Sequence, residues 1–194
     1  DVYKRQVPRI AIESEGDIER FWILFDERMQ VLHDALAYRI ERVKEAVPNN
    51  APILYKRGAF KYRLDENDSV DALFNKQRAT VSMGYIGLYE AATVFFGPNW
   101  ETNANAKAFT LEILKRMQAY QYSWTEMHDI WFSIYSTPSE SLTDRFCRLD
   151  YEAFGSIPDI TDKGYYQNSF HYDVRKDVTP VSYTHLTLPT TPSV

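Results

Sequence analysis

Arg78-Ala-Thr-Val-Ser-Met-Gly84 passes directly into Tyr85-Ile-Gly-Leu-Tyr-Glu-Ala-Ala-Thr-Val-Phe-Phe96, and the reading of that junction decides the fold. The first half has the composition of a short strand, and the second a helical pattern that Gly97-Pro98 ends. The same succession returns at Trp131-Phe-Ser-Ile-Tyr135, read as a buried strand, and Leu142-Thr-Asp-Arg-Phe-Cys-Arg-Leu149, read as a helix. Alternation of this kind predicts an α/β architecture with parallel strands. Gly84 and Gly87 permit close backbone approach, which suits helix–strand packing more readily than a ligand.

Upstream, Val7-Pro-Arg-Ile-Ala-Ile12 reads as a short buried strand. Asp17 then caps a long helix that runs to about Ala46 and stops ahead of Pro48. Its Ile18, Trp22, Phe25, Met29, Leu32, Leu36, Ile40 and Val43 recur at spacings of three and four along one face. Tyr55-Lys-Arg-Gly-Ala-Phe-Lys-Tyr-Arg63 interleaves cations with aromatic rings. Beside Asp65, Glu66 and Asp68 it reads as a solvated loop rather than a nucleotide contact. Ser69 caps a short helix carrying Val70, Leu73 and Phe74, and residues 103–122 form another, with Phe109, Ile113, Met117 and Tyr120 on one side.

Both ends of the chain read as translated DNA adapter. Asp1-Val-Tyr-Lys-Arg-Gln6 back-translates to GAT GTG TAT AAG AGA CAG, whose reverse complement, in frame, encodes Val181-Ser-Tyr-Thr-His185 between the codons of Pro180 and Leu186. Residues 1–6 and 181–194 are therefore set aside as adapter-derived scars expected to pack poorly, leaving 7–180 as the natural segment. Without Asp1, Lys4 and Arg5 the balance is 20 basic to 26 acidic residues, a net of about −6, which argues against a nucleic-acid partner. No run approaches the ~20 apolar residues of a membrane helix. The single cysteine, Cys147, excludes an internal disulfide or a cysteine-based zinc site in this segment, and it reads as a buried structural thiol. His33, His128 and His171 show no ligand spacing, so no metal site is expected.

Chemistry concentrates at Ser136-Thr-Pro-Ser-Glu-Ser141, a hydroxyl-rich loop between the strand at 131–135 and the following helix. Such a loop offers amides, hydroxyls and a helix N-terminus to a phosphate. Thr137 as cap, Pro138 in the first helical position and Glu140 three residues after the cap also make a complete capping box, so Glu140 reads either as a cap or as a catalytic acid/base. Tyr165-Tyr-Gln-Asn-Ser-Phe-His171 reads as a strand on which Asn168 and His171 are candidate site-lining groups.

Three stretches in combination resemble the anaerobic, glycyl-radical (class III) ribonucleoside-triphosphate reductases: Arg78 to Glu90, Tyr135-Ser-Thr-Pro-Ser-Glu-Ser-Leu-Thr-Asp-Arg-Phe146, and Thr161-Asp-Lys-Gly-Tyr-Tyr-Gln-Asn-Ser-Phe-His171. The resemblance spans residues 7–180 and implies an internal piece of a ten-stranded α/β barrel. In that family a cysteine thiyl radical, generated by a glycyl radical, abstracts the ribose 3′ hydrogen, commonly with formate as reductant. The resemblance makes Ser136, Thr137, Ser139 and Ser141 substrate-phosphate ligands and Glu140 a candidate catalytic carboxylate. It also implies a cytoplasmic enzyme with a ribonucleoside triphosphate substrate, ATP/dNTP effectors, a C-terminal zinc site, a radical-SAM activating enzyme and a homodimeric state. The family's radical cysteine lies upstream of Val7, and its glycyl radical and zinc cysteines lie downstream of Pro180. The segment is thus expected to bind no cofactor and to be inactive alone, and Cys147 is not the radical thiol. Another glycyl-radical enzyme of the formate-lyase type and a non-catalytic α/β nucleotide-binding module are the alternatives.

Overall fold

The structure, a computed structural model, describes residues 2–59, 62–136 and 140–176, with backbone alone at 2–4 and 140. Strands β1 (Val2–Gln6), β2 (Thr80–Ile86) and β3 (Trp131–Tyr135) form one sheet in the order β1-β2-β3, so β2 is central. The described residues also form the helices α1 (Val7–Glu13), α2 (Ile18–Lys44), α3 (Pro52–Tyr55), α4 (Leu88–Phe96), α5 (Ala104–His128) and α6 (Glu140–Phe154). Backbone bonds from Gln77 N–H to the Asp129 carbonyl (2.8 Å) and from Trp131 N–H to the Ala79 carbonyl (3.0 Å) climb both chains together. β2 and β3 are therefore parallel, as the strand–helix alternation predicts. β3 is less buried than expected: Phe132 is fully enclosed, but Trp131 and Tyr135 are 42% and 38% exposed.

Two expectations at the N-terminal end are corrected. Val7 to Ile12 lie in helix α1, not in a strand, because Pro8 occupies a first-turn position where its missing N–H costs nothing. Val7, Ile10 and Ala11, at spacings of three and four, then bury one face. Residues 2–6, expected to lie apart, form edge strand β1 instead, and the Gln6 amide donates to the Asp150 carboxylate and, at 3.3 Å, to the Phe146 carbonyl. Residues 181–194 lie outside the described residues.

The chain divides into two compact units. The first comprises residues 2–3, 27–83 and 119–134. Its core holds Met29, Leu32 and Leu36 of α2, with Trp124 packed edge-on to Phe132 at 5.6 Å. A satellite cluster of Tyr55, Leu64, Val70 and Leu73 is closed by the short turn that Ser69 caps, its hydroxyl accepting from Asp71 N–H at 3.2 Å. His33 and His128, 95 residues apart in sequence, meet Nε2 to Nε2 at 2.9 Å. Of the cation–aromatic stretch, Tyr55 is buried in the satellite cluster, Lys56 pairs with Glu66 at 2.8 Å, Arg78 covers the exposed Tyr62 ring, and Phe60 and Lys61 lie outside the described residues.

The second unit comprises residues 4–26, 84–118 and 135–176. Asp17 caps α2 as expected, accepting from Glu19 N–H (2.8 Å) and Arg20 N–H (3.1 Å). Phe21, Phe25, Phe95 and Phe109 form an aromatic cluster, with the Phe21 and Phe109 centroids 5.0 Å apart. The junction between β2 and α4 turns at Gly87, whose φ of +77° is the left-handed region. A β-carbon there would stand 2.3 Å from Pro8 Cγ, so this glycine serves the packing of α1 against α4. Cys147 is buried and donates to the carbonyls of Thr161 (3.5 Å) and Ile160 (3.8 Å), with burial pushing its thiol up to about 11. That is the setting of a structural thiol, not of a metal ligand or a reactive sulfur.

Candidate functional site

In parallel α/β sheets ligands gather beyond the carboxyl ends of the strands. At that end of the sheet, Ser136 directly follows β3, whose Ser133 hydroxyl meets the Ser82 hydroxyl of β2 at 2.8 Å, and Ile86 forms an isolated antiparallel bridge with Asn168. Burial pushes the Tyr85 phenol well above its ordinary range, so it stays protonated as a hydrogen-bonding group. The parallel register sets Ser136 near the end of β2, and the backbone bridge brings Asn168, 32 positions later in numbering, beside Ile86.

Asn168 does not lie in a regular strand as expected. Beyond that single bridge, residues 167–173 form a tight loop in which Ser169 adopts a left-handed φ of +50°, and His171 N–H donates to the Asn168 carbonyl at 2.9 Å. A turn of this kind cannot alternate its side chains, so the apparent period of two did not decide the structure. His171 is half-buried and stacked on Phe170 with centroids 5.0 Å apart, and burial lowers its pKa, favouring the neutral ring.

A buried cluster of charges holds this loop. Glu90, in the first turn of α4, is completely buried; its carboxylate accepts from Gln167 N–H at 3.1 and 3.2 Å and from Lys163 Nζ at 2.5 Å. Lys163 Nζ also donates to Asp173 at 3.1 Å, and its side chain has no exposed surface. Burial raises the Glu90 pKa, opposed by the Lys163 ammonium and the Gln167 amide. Asp173 would likewise be raised by burial, but Arg175 overrides this through its side chain and amide, with Lys163 assisting, and holds the carboxyl well below the usual range. The signal was present in the sequence: Glu90 is the one charged residue between Leu88 and Phe96, and a carboxylate inside an apolar helix requires a buried partner.

The same loop supplies the caps of α4. Gly87 N–H donates to the Gln167 carbonyl (2.9 Å) and Leu88 N–H to the Ser169 carbonyl (3.2 Å), so these amides are spent and do not form an anion site. A second buried carboxylate, Asp150 of α6, accepts from Tyr166 Oη and from Arg9 Nε, each at 2.6 Å, tying α1 and the chain at 166 to α6.

Of the remaining candidates, Ser141 is exposed in the first turn of α6. Thr137 and Ser139 lie outside the described residues, as do the expected capping box and the Glu140 side chain; the described part of α6 starts at Glu140. Among the described residues no group of three or more His, Cys, Asp or Glu is placed to hold a metal ion, and no helix is long and apolar enough to cross a membrane.

The carboxyl ends of parallel strands in an α/β sheet are where ligand sites commonly form. The family described as anaerobic ribonucleoside-triphosphate reductase matches residues 6–192, and the chain belongs to it. The anaerobic ribonucleoside-triphosphate reductase of Escherichia coli K12 is 45% identical over 180 residues, 92% of this chain and 25% of that protein. The enzyme of that description from phage T4 is 42% identical over 178 residues, 90% of this chain and 28% of that protein. The chain thus spans about a quarter of the length of these relatives. The crystal structure of the anaerobic ribonucleotide reductase from Thermotoga maritima in complex with dATP and CTP superposes with a TM-score of 0.64 at 20% identity, covering 87% of this chain and 27% of that one. Its fold is shared, and the strands and helices described above fit a partial α/β barrel of that type. Family membership decides among the three readings open from the sequence in favour of the reductase.

Proposed function

We propose that this segment forms part of the substrate face of an anaerobic reductase that converts ribonucleoside triphosphates to deoxyribonucleotides by glycyl/thiyl radical chemistry, with formate as reductant. The observation that supports the reading is the placement of Ser136, directly after β3, and of Asn168, bridged to Ile86, at the carboxyl end of the parallel strands. The hydroxyls of Ser136, Thr137, Ser139 and Ser141 bind the triphosphate, and Asn168 and neutral His171 line the nucleoside side. The radical cysteine and the glycyl radical, both supplied by chain outside residues 7–180, perform hydrogen abstraction. ATP/dNTP effectors, a zinc site outside this segment, a radical-SAM activating partner, a homodimer and a cytoplasmic setting belong to the same proposal, as does the adapter origin of residues 1–6 and 181–194. The family match begins at residue 6 and runs to 192, so the source DNA read across both ends is the deciding observation for that last point.

In the full-length, unactivated reductase, Ser139→Ala together with Ser141→Ala is expected to weaken CTP binding by roughly 10–100-fold, since each lost donor served a charged acceptor. Equilibrium binding measures this, and wild-type affinity would remove the phosphate assignment. Glu140→Gln separates the two roles of that residue. A catalytic carboxylate loses turnover with the fold intact, whereas a cap loses about 1 kcal/mol of stability with turnover kept.

A further inference from the structure

We propose that Lys163, held between Glu90 and Asp173, is a positioning residue that sets the Asn168 to His171 loop against the end of β2 for substrate. The proposal rests on the reductase reading and extends it to residues with no direct substrate contact. The loop is anchored at both ends by the same ammonium. At its entry, Gln167 N–H sits on both oxygens of Glu90, and Glu90 is fixed by Lys163. At its exit, Asp173 is fixed by Lys163 from within and by the Arg175 guanidinium from outside, at 2.8 Å.

Between these anchors the turn carries its own conformational cost. Ser169 holds a left-handed φ and buries a hydroxyl that has no hydrogen-bond partner among the described residues, so the turn is not the one its own residues would adopt unaided. Packing alone would hold a loop in place with apolar side chains. Three buried charges add direction, because an ammonium shared by two carboxylates, lying over the rings of Tyr89 (5.5 Å) and Tyr165 (5.4 Å), admits few alternative arrangements. Shifting Glu90 therefore moves the Gln167 amide, and with it the adjoining Asn168 backbone bridged to Ile86.

The test compares Glu90→Gln, the charge-balanced double variant Glu90→Gln with Lys163→Met, and Arg175→Gln in the full-length reductase. Melting temperature, CTP affinity before activation, and KM and kcat after activation are read for each. The double variant is expected to melt within a few degrees of the wild type while its CTP affinity and kcat/KM fall at least tenfold. Recovery of affinity and turnover together with stability would make the cluster purely structural and overturn the proposal. If the buried variants do not fold, Arg175→Gln decides, since its guanidinium is half-exposed: a severalfold rise in KM at unchanged melting temperature is expected, and a wild-type KM overturns the positioning role. Asn168→Ala and His171→Ala are the reference. If both keep wild-type affinity and turnover, the site reading itself fails; if they lose them while the clamp variants do not, the clamp alone fails.

Discussion

Lys163→Met, made alone, is expected to cost the fold about 3–5 kcal/mol, the range for removing one partner of a buried ion pair. The methylene stem is replaced nearly isosterically, so almost all of the loss comes from Glu90 and Asp173 left facing each other without the ammonium. Asp173 keeps Arg175, and Glu90 keeps only backbone donors, so the burden falls on Glu90. Its pKa, already raised by burial, rises further once the opposing charge is gone. A carboxyl whose folded pKa lies above its unfolded value of about 4.3 favours the fold only while protonated. The deficit of the variant should therefore be smallest below the unfolded value of about 4.3 and grow as pH rises above it. Urea unfolding of the full-length reductase at several pH values measures it. A loss under about 1 kcal/mol, or one independent of pH, would show that the three charges do not depend on one another.

Gly87→Ala is the second large effect. Its φ of +77° charges any β-carbon roughly 1–2 kcal/mol, and the new methyl would stand 2.3 Å and 2.7 Å from Pro8 Cγ and Cδ, adding about 1–3 kcal/mol of overpacking. The total expected is about 2–5 kcal/mol of stability by denaturant titration. A Pro8→Ala background separates the parts, since removing the ring should return the steric share and leave the backbone share. An equal cost in both backgrounds would mean that α1 does not press on this turn.

The α/β class was legible because β2, α4, β3 and α6 each carry an unambiguous period and a glycine or proline stop. Val7 to Ile12 was not legible, because six residues with four apolar side chains satisfy a buried strand and a helix equally, and only Pro8 in the first turn discriminates. Around the site, the hydroxyls of 136–141 and the amide and imidazole at 168 and 171 were visible as residue types at a strand-to-helix junction. The placement of Asn168 beside Ile86 was not, because it depends on a bridge between distant segments. Glu90 is marked locally only as the single charge in an apolar helix, and its cation, Lys163, lies 73 positions further along the chain. His33 and His128 show the same blindness, since no local spacing joins residues on α2 and α5 that touch in space.

The partners of Glu90 are encoded 73 and 77 positions after it. On a ribosome adding about 5–20 residues per second, α4 waits roughly 4–15 s before its counterion and the loop that caps it have been synthesised. Until then a lone carboxylate keeps one turn of an otherwise apolar helix in water. Nascent chains of this segment therefore spend seconds with the α4 surface uncovered, the interval in which a holding chaperone has most to protect.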